Sequence, residues 1–235
     1  MHMADNKIID KLFSIGAHYG LSASRRHPSV SSFIFGQKGG VELFDLEQTA
    51  ALLDEALKAM KSLAAERKVV LFVGGKAEAR EALARVAEGL AMPYVAGRWI
   101  GGTLTNWGEI KKRLGRLADL SSMREKGELA KFTKRERLLI DRDITDLEAM
   151  FGGLRGMQKL PDAMVVVDPR AEEGSLKEAK QLGLPVIALM NSDCNREGIT
   201  YPIPANDASR ETVNYILGEL AKAYSESVPA EVKPQ

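Results

Sequence analysis

The chain has 235 residues, of which 45% are hydrophobic and 28% charged, an ordinary balance for a globular protein with a sizeable core. Its single cysteine, Cys194, excludes an internal disulfide framework and a cysteine-rich metal site, and favours a reducing compartment. No apolar run approaches the roughly 20 residues of a membrane helix. The first residues, "MHMADNKIIDKLFS", do not contain the apolar core of a signal peptide. We therefore expect a cytosolic protein with no membrane contact.

The formal net charge of +1 is unevenly distributed along the chain. Residues 1–159 contain 26 Lys and Arg and 20 Asp and Glu, a balance of +6, whereas residues 160–235 contain 7 and 12, a balance of −5. One interpretation is chance together with an acidic tail. The other is that one part of the surface faces a polyanion and another part does not.

Strand and helix patterns alternate along most of the chain and predict an α/β domain. The run "SSFIFGQKGGVELFDL" predicts a hairpin whose turn spans residues 37–40, and a helix follows over 47–68. Three continuous apolar runs predict strands that are covered on both faces. These runs are "KVVLFVGG" (68–75), "DAMVVVDP" (162–169) and "GLPVIALMNSD" (183–193), and helical patterns follow each, the last over 206–224. The sum is a three-layer fold with a parallel sheet.

Residues 107–151 interrupt this alternation, because they contain helical patterns and no strand-like run. Two narrow apolar stripes repeat at the spacing i, i+4, i+7, and a capping box starts the second helix. The stripes are Ile110, Leu114, Leu117 and Ile140, Ile144, Leu147, Phe151, and the capping box is Thr133 to Glu136. We predict an antiparallel coiled-coil hairpin that projects from the domain.

The predicted organisation is therefore a discontinuous α/β domain, an inserted helical hairpin and a flexible tail. The α/β domain comprises residues 1–106 and 152–225, the hairpin residues 107–151 and the tail residues 226–235.

Cations are concentrated at the start of the predicted hairpin. The stretch "IKKRLGRL" contains Lys111, Lys112, Arg113 and Arg116 and no acidic residue. Clustered cations of this kind can neutralise phosphates. The alternative is a solvated surface of mixed charge, since residues 110–150 hold 11 Lys and Arg against 8 Asp and Glu.

The most enzyme-like motif is "FVGGKAEAR", where glycines lie between a strand and a helix N-terminus. Exposed backbone N–H groups there could cradle a phosphate, but the spacing fits neither the P-loop nor the dinucleotide fingerprint. A sterically required turn is the alternative. Asp168 and Asp193 follow two strands and could hold a metal ion, but no third ligand is identifiable.

The sequence contains no motif for nucleophilic catalysis either, because His18, His27 and Cys194 lie in none of the known nucleophile or zinc-protease motifs. We predict no catalytic residue, no metal and no cofactor. What remains are loops that combine glycine, cations and aromatic residues, namely "GAHYG" (16–20), "SASRRHPS" (22–29), "FGQKGG" (35–40) and "GRWIGGTLTNWG" (97–108). Such loops suit contact with a structured RNA surface.

Several blocks, in this order, resemble the bacterial small-subunit ribosomal protein S2 family over roughly residues 8–222. They include "IFGQKGGVELFDLEQT", "MPYVAGRWIGGTLTN", "LEAMFGGLRGMQKLPDAMVVVDP" and "EAKQLGLPVIALMNSDCNREGITYPIPAND". The resemblance implies a flavodoxin-like domain with an inserted coiled-coil hairpin, no catalysis, and a structural role in the small ribosomal subunit. It further implies contact with small-subunit rRNA and neighbouring ribosomal proteins, and help in docking protein S1.

The residues that we expect to contact RNA lie in the matching loops and at the hairpin base. They are Arg25, Arg26, Lys38, Arg98, Trp99, Thr103, Thr105, Asn106, Lys111, Lys112 and Arg113. Two rival hypotheses stay open on the sequence alone. One is a nucleotide- or flavin-binding enzyme that uses "FVGGK" and the strand-end aspartates, and the other is a platform whose main partner is a protein.

Overall fold

The structure, a computed structural model, describes residues 3–229. The end of the predicted tail, residues 230–235, lies outside the described residues. The helices are α1 Met3–Ser14, α2 Leu46–Ala65, α3 Ala77–Gly89, α4 Trp107–Glu125, α5 Lys134–Phe151, α6 Glu173–Leu182 and α7 Arg210–Ser225. The strands are β1 Tyr19–Ser22, β2 Ile34–Lys38, β3 Val41–Phe44, β4 Val70–Val73, β5 Tyr94–Val95, β6 Ala163–Val167, β7 Val186–Met190 and β8 Tyr201–Pro204.

The main sheet is parallel and five-stranded, in the order β5-β4-β6-β7-β8, which confirms the flavodoxin-like α/β prediction. Strands β4, β6 and β7 are buried along their whole length, because helices and loops cover both faces. The chain reaches the edge strand β5 after β4 and then returns to β6 on the other side of β4. The carboxyl ends of β4 and β6 therefore meet at the reversal of strand order, the usual place for a ligand crevice in such sheets.

Alternate residues of each central strand point into two different apolar clusters. Phe72 belongs to the first cluster, which α1, α2, α3 and α7 cover, whereas Leu71 belongs to the second. The second cluster includes Ala179 of α6 and also Ile110 and Ile144 of the helix pair α4 and α5. The apolar stripes of the pair are thus continuous with the core on this face of the sheet.

The helix pair has the predicted boundaries. Gly127 adopts a φ of 73° after α4, and Thr133 begins α5 with a capping box. The backbone N–H of Thr133 donates to Glu136 Oε2 at 2.8 Å, and the Glu136 N–H donates to Thr133 Oγ1 at 3.3 Å. Coiled-coil packing of the two helices and the division of the chain into domains stay predictions.

A second, antiparallel sheet has the strand order β1-β3-β2. The hairpin β2–β3 was predicted, and its turn contains Gly39 and Gly40 at φ of 60° and 81°. Strands β1 and β8 and helix α1 were not predicted. Strand β8 has the sequence "YPIP", and proline lacks the N–H that a ladder requires, so the pattern argues against a strand. The strand forms because it lies at the sheet edge with one neighbour, β7.

No helix within residues 3–229 combines the length and the apolar composition that crossing a bilayer requires.

Replacing Gly153 by alanine should lower the free energy of unfolding by about 2 kcal/mol, because overpacked sites cost this much. A Cβ atom at Gly153 would lie 2.3 Å from the backbone oxygen of Tyr94 in the edge strand β5. Gly156→Ala is the matched control, since nothing lies within 4 Å of a Cβ atom there. Urea unfolding of both variants measures the difference, and equal stabilities would contradict this packing.

Candidate nucleic-acid interface

The loop between β5 and α4 folds around one buried carboxylate, that of Glu178 on α6. Glu178 Oε1 accepts hydrogen bonds from Trp99 Nε1 at 2.9 Å and from the Gly102 N–H at 2.8 Å. Glu178 Oε2 accepts from the N–H groups of Leu104 at 2.9 Å and Thr105 at 3.0 Å, and from Thr105 Oγ1 at 3.1 Å. Five donors from a seven-residue segment therefore converge on a single side chain.

These hydrogen bonds keep Glu178 ionised. Burial by itself would raise the pKa of Glu178, but the donors of Thr105, Trp99, Leu104 and Gly102 favour the charged form and lower the pKa below its usual value. Because the pKa is lower in the folded state, the contribution to stability is present at neutral pH and is lost as pH falls through the folded pKa. The loop is therefore held by an anion under physiological conditions.

The composition of the loop follows from this arrangement. Gly102 has a φ of +86°, and a Cβ atom there would lie 3.2 Å from Cβ of Asn106, so the position requires glycine. Thr103 is 1% exposed, and its hydroxyl donates to the Ile100 carbonyl at 2.6 Å. Trp99 packs against the second apolar cluster while its indole N–H reaches Glu178. Residues that suggested an RNA contact thus have partners inside the protein.

Seven of the other predicted contact residues are exposed, and Arg26 is discussed separately below because it pairs with a buried carboxylate. Five cations are exposed, and within the part of the chain that the structure describes their side chains form no ion pair: Arg25, Lys38, Arg98, Lys111 and Arg113. Lys112 is also exposed and pairs with Glu109 at 2.6 Å. Asn106 occupies the N-cap position of α4, is exposed, and makes no side-chain capping bond.

Arg26 has an intramolecular partner. Its Nη1 lies 2.9 Å from Oε1 of Glu42, a carboxylate that is 1% exposed in strand β3. A buried charge that loses its partner is strongly destabilising. Arg26 therefore serves first to compensate Glu42, and the sequence carried no signal for this pairing across 16 residues.

The glycine turn after β4 does not form a phosphate cradle. The Gly75 N–H donates to Glu172 Oε1 at 2.8 Å, so a carboxylate of the protein already occupies the anion position. A Cβ atom at Gly75 would lie 2.7 Å from the Gly97 oxygen, which explains the glycine sterically. Lys76 Nζ lies 3.0 Å from Asp207 Oδ1 and 3.4 Å from Asp168 Oδ2. The turn and its lysine are thus used within the fold.

The strand-end aspartates are likewise paired within the protein. Asp193 Oδ2 accepts from Arg170 Nη1 at 2.6 Å, and Asp168 faces Lys76. Burial raises the pKa of the Cys194 thiol to about 12, so this cysteine is not a thiolate at neutral pH. Among residues 3–229, no group of three or more His, Cys, Asp or Glu is arranged to hold a metal ion.

An exposed aromatic surface lies beside the second sheet and includes residues of the loops 16–20 and 35–40, which the sequence predicts to contact RNA. The exposed fractions of Phe13, Tyr19 and Phe35 are 63%, 48% and 79%. The ring of His18 stacks on Phe13 at a centroid distance of 4.6 Å and lies 4.1 Å from the ring of Tyr19. We call Phe13, His18, Tyr19 and Phe35 the aromatic patch. The run "FIF" was the available signal, since Phe33 ends a short 3-10 helix and is buried, whereas Phe35 lies in strand β2 and is exposed.

Comparison with known protein families gives a match that covers most of the chain. A family model described as Ribosomal protein S2 matches residues 12–227 of the 235. The matched range contains both sheets, the helix pair, the loop around Glu178 and the aromatic patch.

Proposed function

Since the chain belongs to the ribosomal protein S2 family, we propose that its exposed cations bind small-subunit rRNA in the cytoplasmic ribosome. Membership makes the protein a structural component of the small ribosomal subunit and not an enzyme. The proposed rRNA-binding residues are Arg25, Lys38, Arg98, Lys111, Lys112 and Arg113, together with Asn106.

Exposed cations on both sides of the start of α4 support this proposal most directly. Arg98 precedes the loop that Glu178 holds, and Lys111 and Arg113 lie in the first two turns of the helix. Lysine and arginine that are not paired with carboxylates can replace the counterions of a phosphate backbone. Contacts of this kind fix the position of a protein on RNA, whereas the fit to the RNA shape supplies specificity.

The remaining predicted residues support the interface indirectly. Thr103 is buried, and Trp99 and Thr105 donate to Glu178, so these three shape the loop that presents the cations. Arg26 holds the N-terminal segment through Glu42. We therefore restrict the proposed contacts to the exposed cations and Asn106.

Rebinding to depleted subunits tests the proposal. Small subunits that lack this protein are mixed with the purified chain, and the bound fraction is measured by sedimentation at increasing salt. We expect stoichiometric rebinding at low salt and a steep loss as salt increases, because phosphate contacts dominate the affinity. A chain that stays in the supernatant at low salt would refute rRNA binding by the isolated protein.

We also propose that the aromatic patch docks protein S1. Contiguous exposed apolar surface marks protein interfaces, and aromatic side chains are the residues most enriched at their centres. A cavity of about 380 Å³ lies beside the patch, between Phe13, His18 and Phe35 and the start of α2. The four residues of the patch include no lysine or arginine.

Replacing Phe35 by serine should weaken retention of protein S1 by about tenfold, the loss typical of an interface hot spot. Rebinding to depleted subunits should stay unchanged, because Phe35 is not one of the proposed RNA-binding residues. The control is Leu182→Ser, which removes an apolar side chain that is 39% exposed on α6. Titration of reconstituted subunits with labelled S1 measures the loss. Equal affinity of both variants for S1 would show that the patch does not dock it.

A further inference from the structure

We infer that Glu178 is a positioning residue for RNA binding, because its carboxylate holds the joint between the sheet and α4 in the shape that presents the cations. The inference rests on the proposed rRNA contacts of Arg98, Lys111 and Arg113. Glu178 itself is buried and belongs to another part of the chain, more than 70 residues from the loop that it holds.

Glu178 lies on helix α6, which is anchored in the core. Its neighbour Ala179 is fully buried in the second apolar cluster, which fixes the rotation of α6 under the loop. The position of the carboxylate is therefore set by the core of the sheet. The loop, by contrast, has no strand or helix of its own between Val95 and Trp107.

The loop residues that donate to Glu178 are direct neighbours of the proposed contact residues in the chain. Trp99, whose indole N–H is 2.9 Å from Oε1, immediately follows Arg98 in the chain. Thr105, whose N–H and hydroxyl both reach Oε2, immediately precedes Asn106, the N-cap of α4. The carboxylate thus determines where Arg98 leaves the surface and where the helix that carries Lys111 begins.

The Glu178 carboxylate occupies the position in which an RNA phosphate could otherwise bind the loop. Backbone N–H groups that surround an anion form a nest of the kind that also binds phosphates. Here Gly102, Leu104 and Thr105 direct their N–H groups at Glu178. Because the protein supplies this anion internally, the inner side of the loop is occupied, and RNA meets only its outer side.

Glutamine at position 178 tests the inference with almost no change in volume. Its amide has one accepting oxygen, so its NH₂ group must face either Trp99 and Gly102 or Leu104 and Thr105. Two N–H donors lose their acceptor in either orientation, and the loop must rearrange. Glu178→Asp is the milder variant, because it keeps the charge and withdraws the carboxylate by one methylene.

The experiment measures rebinding to depleted small subunits across a salt series. We expect Glu178→Gln to weaken binding on the order of tenfold and to make the dependence of log affinity on log salt shallower, by roughly the 0.7–0.9 that one lost phosphate contact represents. Glu178→Asp should give an intermediate loss. Glu173→Gln is the control, since Glu173 lies on the same helix, is exposed and pairs with Lys177 at 2.8 Å.

A double-mutant cycle with Arg98→Ala separates positioning from a general loss of stability. If Glu178 acts through Arg98, the double variant should bind little worse than either single variant, because one contact cannot be lost twice. A purely structural role predicts that the two losses add and that the salt dependence of Glu178→Gln stays as steep as in the wild type. Either result would overturn the inference.

Fluorescence of Trp99 reports the loop in the free protein. The chain has two tryptophans, so all variants are prepared with Trp107→Phe, which leaves Trp99 as the sole indole. Its emission should change in Glu178→Gln and stay constant in Glu173→Gln. An altered emission with unchanged rRNA affinity would refute the positioning role alone, whereas failure of the wild-type chain to bind would refute the proposed function instead.

Discussion

Replacing Lys111 and Arg113 together by glutamate should weaken binding to depleted small subunits by about a hundredfold at physiological salt, the order expected for losing two phosphate contacts and adding two like charges. Both side chains are exposed on α4 and form no ion pair within the described residues. The substitutions therefore remove no contact that the fold requires. Quantitative sedimentation measures the bound fraction, and circular dichroism verifies that both helices of the pair remain.

The control for this variant is Lys58→Glu with Lys61→Glu on α2. This pair of substitutions changes the net charge equally, but α2 packs against the first apolar cluster, on the other face of the sheet. We expect binding within about threefold of the wild type, since long-range charge effects are screened over roughly 8 Å at physiological salt. Equal losses in the two variants would mean that net charge alone determines the affinity, and unchanged occupancy of Lys111→Glu with Arg113→Glu would contradict the interface.

Replacing Lys76 by methionine should lower the free energy of unfolding by about 3 kcal/mol at neutral pH, because a buried carboxylate loses its cation. Asp207 is 1% exposed, and its Oδ1 accepts from Lys76 Nζ at 3.0 Å and from Asn191 Nδ2 at 2.7 Å. Its Oδ2 has no hydrogen-bond partner within the described residues. Urea unfolding measures the loss. Lys58→Met is the matched control, since Lys58 and its partner Asp54 are exposed and their pair contributes little.

The pH dependence of this variant has a definite sign. Burial, followed by the charge of Asp168, raises the pKa of Asp207 even with Lys76 in place. Without the lysine the pKa rises further, so protonation of Asp207 in the folded state relieves the unpaired charge as pH falls. The deficit of Lys76→Met should therefore be largest above neutral pH and shrink as the pH falls. Adding Asp207→Asn should recover stability at neutral pH, and a pH-independent deficit would contradict this account.

The secondary structure could be predicted largely from local patterns. The continuous apolar runs around Val70, Ala163 and Val186 predicted buried parallel strands, since only strands that are covered on both faces have no polar alternate residues. The capping box at Thr133 predicted the start of α5. Strand β8 was missed because its prolines contradict the local signal, and its formation depends on an edge position next to β7.

The candidate interface was predictable in part. Lys111 and Arg113 were proposed from charge clustering and Arg98 from its place in a glycine-rich loop, and all three are exposed in the structure. Trp99 and Thr103 were assigned to RNA because of their residue types in a glycine-rich loop. Within the protein they donate to Glu178 and to the Ile100 carbonyl, and Glu178 lies in a helix more than 70 residues away in the chain.

By itself the sequence determined most of the segments that become strands and helices, where the basic residues cluster, and that the chain resembles a ribosomal protein family. Only the tertiary structure decided which polar groups meet. Nothing in the sequence distinguishes the roles of Glu178, Glu42 and Asp207. In the structure Glu178 organises a loop, Glu42 pairs with Arg26, and Asp207 pairs with Lys76. The physical reason is that periodicity and capping act between near neighbours in the chain, whereas a buried carboxylate takes its donors from whichever segments the packed core brings within hydrogen-bonding distance.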